Sequence, residues 1–245
     1  ARPVSIPRIG FNISLYRDTR SGGMLYYALN MLGQFARKVP ERLTLFCGRH
    51  SRELIRSIDG IDDISVREIA EAGRIFDYRQ EFDVLFTPGY CGSFAMLDYP
   101  TIHVIPDIQE QYYPEFFAGA ELKRRRILHR WVARSSTLLI TLSDFSKRTM
   151  VEAFCISADK VRVTHLAAHP IFSDASERGM RPSNMPDETD FLFYPANAWN
   201  HKNHIGLLDA VAALRERHGL RVPVILAGHH LERDFNRVDI LTEIR

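Results

Sequence analysis

The stretch FLFYPANAWNHKNHIGLLDAV, residues 191–211, decides how the chain is read. Its opening FLFYP is a short apolar run of the kind that forms a buried strand, and its last ten residues read as an amphipathic helix. Between them, Asn197, Asn200, His201, Lys202, Asn203 and His204 crowd a strand-to-helix turn. A helix start carries unpaired N–H groups and the positive end of the helix dipole. A lysine there adds a point charge suited to a phosphate, and His201, Asn203 and His204 add further donors. By spacing alone, a solvated helix start would look much the same.

The same alternation runs through the rest of the chain. Strands are expected at 8–14, 43–47, 83–87, 101–105, 137–141 and 161–164, and helices at 23–38, 51–57, 122–134 and 144–153. The strands are continuous apolar runs, as expected when helices cover both faces of a parallel sheet. Residues 173–188 (SDASERGMRPSNMPDE) hold few apolar side chains and read as a linker. The alternation then resumes with a strand at 189–195, a helix at 202–218 and a strand at 222–227. One β-α-β unit is too little for an independent α/β domain, which needs several strands to bury both sheet faces. The reading is therefore an α/β chain with one domain over 1–172, a linker over 173–188 and the beginning of a second domain over 189–245.

Composition narrows the function classes. Of 245 residues, 45% are hydrophobic and 25% charged, which suits a globular protein with a sizeable core. A net charge of +2 gives no argument for nucleic acid. Cys47, Cys91 and Cys155 lack metal-ligand spacing, and three scattered cysteines fit reduced thiols in a cytoplasm. No D-x-D motif signals a metal-dependent nucleotide-sugar site, so no metal is expected. G-x-S-x-G is missing, which removes the nucleophile of an α/β-hydrolase.

Ligands of open parallel sheets bind beyond the carboxyl ends of the strands, and polar clusters fall at those ends. After the first strand come Gly22 and Gly23, which let a backbone approach a ligand in front of a helix start. They form neither G-x-G-x-x-G nor a Walker loop, so a plain loop stays open. Asp107 follows the strand at 101–105, where it is the candidate catalytic residue: it would accept bonds from a sugar hydroxyl or orient a reacting group, or else simply close a turn. Ser143 precedes a helix, where capping and ligand binding use the same N–H groups. His103 lies inside its strand and reads as a packed histidine.

With these residues in view, the chain resembles the family 4 glycosyltransferases of GT-B architecture. The resemblance rests on five segments in order: SGGMLYYALNML, IPDIQEQYYPEFF (105–117), LLITLSDFSKRTM (138–150), DKVRVTHLAAHPIF (159–172) and FLFYPANAWNHKNHIGLLDAVAAL. It implies two Rossmann-like domains, an acceptor-side one and a donor-side one. The implied reaction moves a sugar from a nucleoside-diphosphate sugar to a polysaccharide, lipopolysaccharide or glycolipid acceptor, with retention and without a metal or other cofactor. GDP-mannose is the implied donor, because the DIQ…YPEFF form resembles mannosyltransferase-like members. Carried over by position, Lys202 would contact the donor diphosphate and Asn203 would shape its turn. Gly22 and Gly23 would approach the donor, Asp107 would face the sugar or acceptor, and Ser143 would line the cleft.

Three departures from the pattern matter. Ala196-Asn197 stands where many members have Gly-Arg, and Pro106-Asp107 where many have His-Asp. The family's glutamate pair would fall beyond residue 245, so little transferase activity is expected from this chain by itself. A non-catalytic GT-B-like binding module is the competing reading. A nucleotide-dependent epimerase or dehydrogenase would need a fuller glycine fingerprint after the first strand. Finally, Lys123-Arg124-Arg125-Arg126 is the one dense basic run, with Leu122, Ile127, Leu128 and Trp131 interleaved. It reads either as a solvated helix face or as a peripheral contact with anionic lipid at the inner face of a membrane.

Overall fold

The computed structural model describes residues 6–16, 22–56, 58–89, 99–168 and 190–228. Two compact units divide the chain: Ala1–Tyr112 with Lys123–Pro170, and Tyr113–Leu122 with Ile171–Arg245. The expected linker at 173–188 lies outside the described residues.

The first unit is a seven-stranded sheet. Its strands are β1 (Ile9–Asn12), β2 (Leu43–Cys47), β3 (Ser65–Glu68), β4 (Val84–Thr87), β5 (Thr101–Val104), β6 (Leu138–Thr141) and β7 (Val161–Val163). They lie in the order β3-β2-β1-β4-β5-β6-β7, and every pair is parallel. This is the Rossmann-like α/β architecture that the alternation predicts. The central strand β1 pairs on both sides, Ile9 opposite Leu43 of β2 and opposite Val84 of β4. Beyond β1 the chain runs outward to β3, then crosses back to β4 and continues the other way, so the strand order reverses between β1 and β4.

Helices cover the sheet because their apolar side chains recur at helical spacing. In α1 (Gly23–Lys38), Leu25, Ala28, Leu32 and Ala36 fall on one face and are buried against Phe11 and Leu45. Here Phe11 meets Phe86 at 5.1 Å and Phe35 at 5.8 Å between ring centroids. A separate cluster joins Phe46, Ile69, Ile75, Phe82 and Leu85, with Phe46 and Phe82 edge to face at 5.4 Å. Farther along the sheet, α4 (Gly119–Ser135) and α5 (Asp144–Phe154) supply Val132, Ala133, Met150 and Phe154 to a third cluster with Ile105 and Leu139.

Most expected elements form, with ends shifted by three residues or fewer. Three differences stand out. The strand β3 was not expected, because SVRE carries little apolar surface; as the outer neighbour of β2 it is only half buried. The helix expected at 51–57 is shorter, with α2 restricted to Arg52–Ile55 and Ser57 outside the described residues. The expected helix start at Lys202 lies two residues too early. Asn203 turns left-handed (φ 51°), so the helix begins at His204.

The second unit contains β8 (Leu192–Pro195) paired in parallel with β9 (Val224–Ala227), and α6 (His204–His218) connecting them. Gly219, at φ 67°, stops α6, and its N–H donates to the Arg215 carbonyl. This is the usual left-handed helix end, which glycine adopts without a Cβ clash.

At Gly10 in β1, a Cβ would lie 2.9 Å from a Phe82 ring atom and 3.1 Å from one of Phe46. Both rings are fully packed, so neither has room to retreat. Gly10→Ala is expected to lower unfolding stability by about 1–3 kcal/mol, the usual cost of overpacking, as read from urea midpoints.

Candidate functional site

All strands of the first sheet run the same way, so their carboxyl ends share one edge, and the crevice at an order reversal is where such sheets hold ligands. At this reversal Asn12 is fully buried, and its Nδ2 donates to Thr87 Oγ1 at 3.4 Å. Its Oδ1 accepts from the Ser14 N–H at 3.0 Å and the Ser14 hydroxyl at 2.7 Å. The Tyr16 hydroxyl donates to the Pro88 carbonyl, and the Ser51 hydroxyl to the Tyr16 carbonyl. Sequence reasoning missed this network. Its signal was the polar residues that end two apolar strands, Asn12 in GFNIS and Thr87 in VLFTPG.

Gly22 occupies the N-cap of α1 at φ 65°, a conformation that favours glycine, and Gly23 is the first helical residue. A Cβ at either would meet no described atom within 4 Å, and the first turn of α1 carries no carboxylate. Among the described residues this helix start therefore meets nothing close by, and it carries the positive end of the helix dipole. Asp107 is exposed after β5, and its Oδ1 accepts from the Gln109 N–H at 3.2 Å, opening the short helix α3 (Gln109–Tyr112). It thus makes the turn contact that its position allowed. Ser143 caps α5: its Oγ accepts from the Ser146 N–H and donates to the Ser146 Oγ, both at 3.1 Å.

Two buried histidines stand behind this edge. His103 is fully buried, as its reading as a packed histidine implied, and its Nδ1 lies 2.9 Å from Ser136 Oγ. The Ser136 hydroxyl already donates to the Val132 carbonyl at 2.6 Å, so it accepts from His103 and the proton resides on Nδ1. Burial pushes the His103 pKa down to about 4. His129 of α4 faces Glu110 of α3 through Nδ1 and Oε1 at 2.8 Å, both side chains buried. Burial alone would push the Glu110 carboxyl up; the hydrogen bond and charge of His129 outweigh it and hold the group below its ordinary value.

In the second unit the turn from Ala196 to Asn203 is tightly wound. A 3₁₀ turn, Asn200–Lys202, follows Trp199, and the Lys202 N–H donates to the Trp199 carbonyl at 2.8 Å. Asn203 then caps α6, its Oδ1 accepting from the Gly206 N–H at 3.3 Å. Lys202 is exposed at the end of this turn, held from behind by the Tyr194 hydroxyl, which donates to the Lys202 carbonyl at 2.5 Å. His204 is buried, packs edge to face on Tyr194 at 5.0 Å, and has Nε2 3.3 Å from the Ala196 carbonyl. A Cβ on Gly228 would sit 2.2 Å from the Ala196 carbonyl oxygen, so only glycine permits this approach of the end of β9. Tyr194, His204 and Gly228 are bracing residues that the sequence reading either missed or counted as donors.

The expected residues thus fall in two places. Gly22, Gly23, Asp107 and Ser143 follow three strand ends of one sheet, while Asn197, Lys202 and Asn203 share one turn of the other unit. Among the described residues, no group of His, Cys, Asp or Glu is arranged to hold a metal ion.

No protein-family description matches the chain, and no curated protein sequence does. Solved structures do. The Anabaena protein Alr3699/HepE in complex with UDP and glucose superposes with a TM-score of 0.57 at 16% identity, covering 98% of this chain and 65% of that one. HepE in complex with UDP alone gives 0.55 at 15% identity over 96% and 64%. A glycosyltransferase from Rickettsia africae ESF-5 gives 0.50 at 12% identity, over 91% of this chain and 69% of that one. The likeness shows a shared α/β fold, and the chain spans just under two thirds of HepE.

Asn203→Ala loses both the cap and a residue tolerant of the left-handed region, and is expected to cost about 1–2 kcal/mol, whereas Asn203→Gly costs a few tenths. Thermal melts of both variants check this. For His103, protons bind the unfolded chain first as pH falls from about 6.5 to about 4, so stability drops over that window by roughly 3 kcal/mol. In His103→Asn that part of the pH dependence is expected to vanish from denaturation curves.

Proposed function

We propose that this chain belongs to a glycosyltransferase that moves a hexose from a nucleoside-diphosphate sugar to a hydroxyl of a glycan or glycolipid acceptor. The observation that carries the reading is the braced turn at 196–204, which fixes the Lys202 backbone beside a helix start and leaves its ammonium exposed there. A compact positive charge there suits a diphosphate. In the transfer, the bond from the sugar's anomeric carbon to the diphosphate oxygen breaks, a bond to the acceptor oxygen forms, and the acceptor hydroxyl's proton passes to the departing diphosphate. Negative charge grows on the departing nucleoside diphosphate, and Lys202 stabilises it without a metal.

On the acceptor side, the helix start at Gly22 and Gly23 would approach the donor, the exposed Asp107 carboxylate would face the sugar or acceptor, and Ser143 would line the cleft. Retention, mannose as the sugar, and a polysaccharide, lipopolysaccharide or glycolipid acceptor follow from the family resemblance. The reading goes with a cytoplasmic site of action. UDP and glucose in the HepE structures make a uridine nucleotide an equal candidate to the GDP form. At Asn197 an amide stands where the resembling family carries a second cation, so Lys202 supplies more of the charge.

Calorimetric titration with UDP, GDP and ADP tests this. One nucleotide should bind, and Lys202→Ala should weaken it about tenfold or more, the loss of a hydrogen bond between charged groups. Absence of binding by all three would overturn the transferase reading in favour of a non-catalytic module.

A further inference from the structure

The basic run in α4 does something the sugar-transfer reading leaves unused. Buried His129, Val132 and Ala133 fix one side of this helix to the core. At about 100° per residue, Lys123, Arg124, Arg126, Ile127, Arg130, Trp131 and Arg134 all fall within an outward arc of roughly 160°, and all are exposed. Arg125 falls on the inner side and is half buried. Five cations therefore share one face, and no carboxylate occurs from Leu122 to Ser135. The face is roughly 16 Å long at 1.5 Å per residue. Arg126 and Arg134 donate to the carbonyls of Glu110 and Phe154, both at 3.4 Å, which leaves their charge in place.

In the middle of this face stand two large apolar side chains one turn apart. Ile127 is 57% exposed and Trp131 is 40% exposed. Phosphate recognition alone would need the cations and nothing apolar. An isoleucine and a tryptophan set among lysine and arginine instead match the boundary of a bilayer, where cations meet anionic headgroups and the apolar side chains enter the acyl edge. Among the described residues no helix is long and apolar enough to cross a membrane, so the contact would be peripheral.

We propose that the outward face of α4, carried by Lys123, Arg130, Ile127 and Trp131, docks on an anionic lipid bilayer. The surface belongs to the first unit and is independent of nucleotide binding, although a lipid-linked acceptor would give it a use.

Flotation with vesicles of phosphatidylcholine and phosphatidylglycerol tests the proposal. Binding is expected to these vesicles, to weaken with salt, and to be absent with phosphatidylcholine alone. Lys123→Ser/Arg130→Ser should weaken it roughly thirtyfold, from about 1 kcal/mol per basic side chain at the surface. Ile127→Ser/Trp131→Ser should weaken it as well, while circular dichroism confirms that the fold is kept. If a double variant fails to fold, the single exposed changes Lys123→Ser and Ile127→Ser serve in its place. No binding to anionic vesicles, or binding that neither pair alters, would overturn the proposal. So would binding to poly(U) RNA that the Lys123/Arg130 pair reduces and the Ile127/Trp131 pair does not, if vesicles bind no better than RNA. Because the readout is lipid binding, failure here leaves the nucleotide titration untouched, and the reverse holds too.

Discussion

The pairing of β1 with strands on both sides is the constraint on which the first unit depends. A parallel sheet can grow from a central strand only if each connection crosses over a face and returns the chain to the same end. With β2 and β3 on one side and β4 to β7 on the other, the order must reverse beside β1. That reversal opens a crevice at the strand carboxyl ends, and the chain closes its base with Asn12, Thr87 and Tyr16. Packing enforces the same arrangement: Gly10 leaves the space that lets Phe46 and Phe82 close over the strand. Without this strand neither the crevice nor the alignment of the later strand ends would exist.

Polar groups at the strand ends then divide by what they can spare. Ser143 spends its hydroxyl on capping α5, and Asp107 uses one carboxylate oxygen to open α3. Gly22 contributes backbone geometry, and among the described residues no side chain caps the helix start there. In the second unit the turn has its own internal bracing from Tyr194, His204 and Gly228, so the Lys202 ammonium needs no partner to fix its backbone. A binding group on a braced backbone turn has no backbone freedom to lose when it meets a ligand, so only its side chain has to be ordered.

Much of this was legible along the chain. The bounds of α1 and β2 follow directly from apolar periodicity, because Leu25, Ala28, Leu32 and Ala36 face the core and every residue of β2 is buried. Strand β3 was not legible, since a half-buried strand at SVRE lacks the apolar run that marks the others. The start of α6 was misplaced for a local reason. Nothing in HKNHIG says that Asn203 will take the left-handed conformation, which depends on its amide reaching the Gly206 N–H and on that glycine having no Cβ.

Local sequence determined which segments are strands and helices, where polar groups cluster, and that the basic run from Lys123 lies on a helix. Those properties depend on side-chain periodicity and on neighbours within a turn or two. The tertiary structure decided what each polar group does. Asn12 meets Thr87 across 75 positions of chain, Glu110 meets His129 across 19, and the half-covered β3 joins the sheet only through β2. The same holds for α4, where burial of His129, Val132 and Ala133 selects which side of the helix faces out. Contacts of this kind arise from the order in which parallel strands are laid side by side, a long-range property that no local pattern of residues encodes.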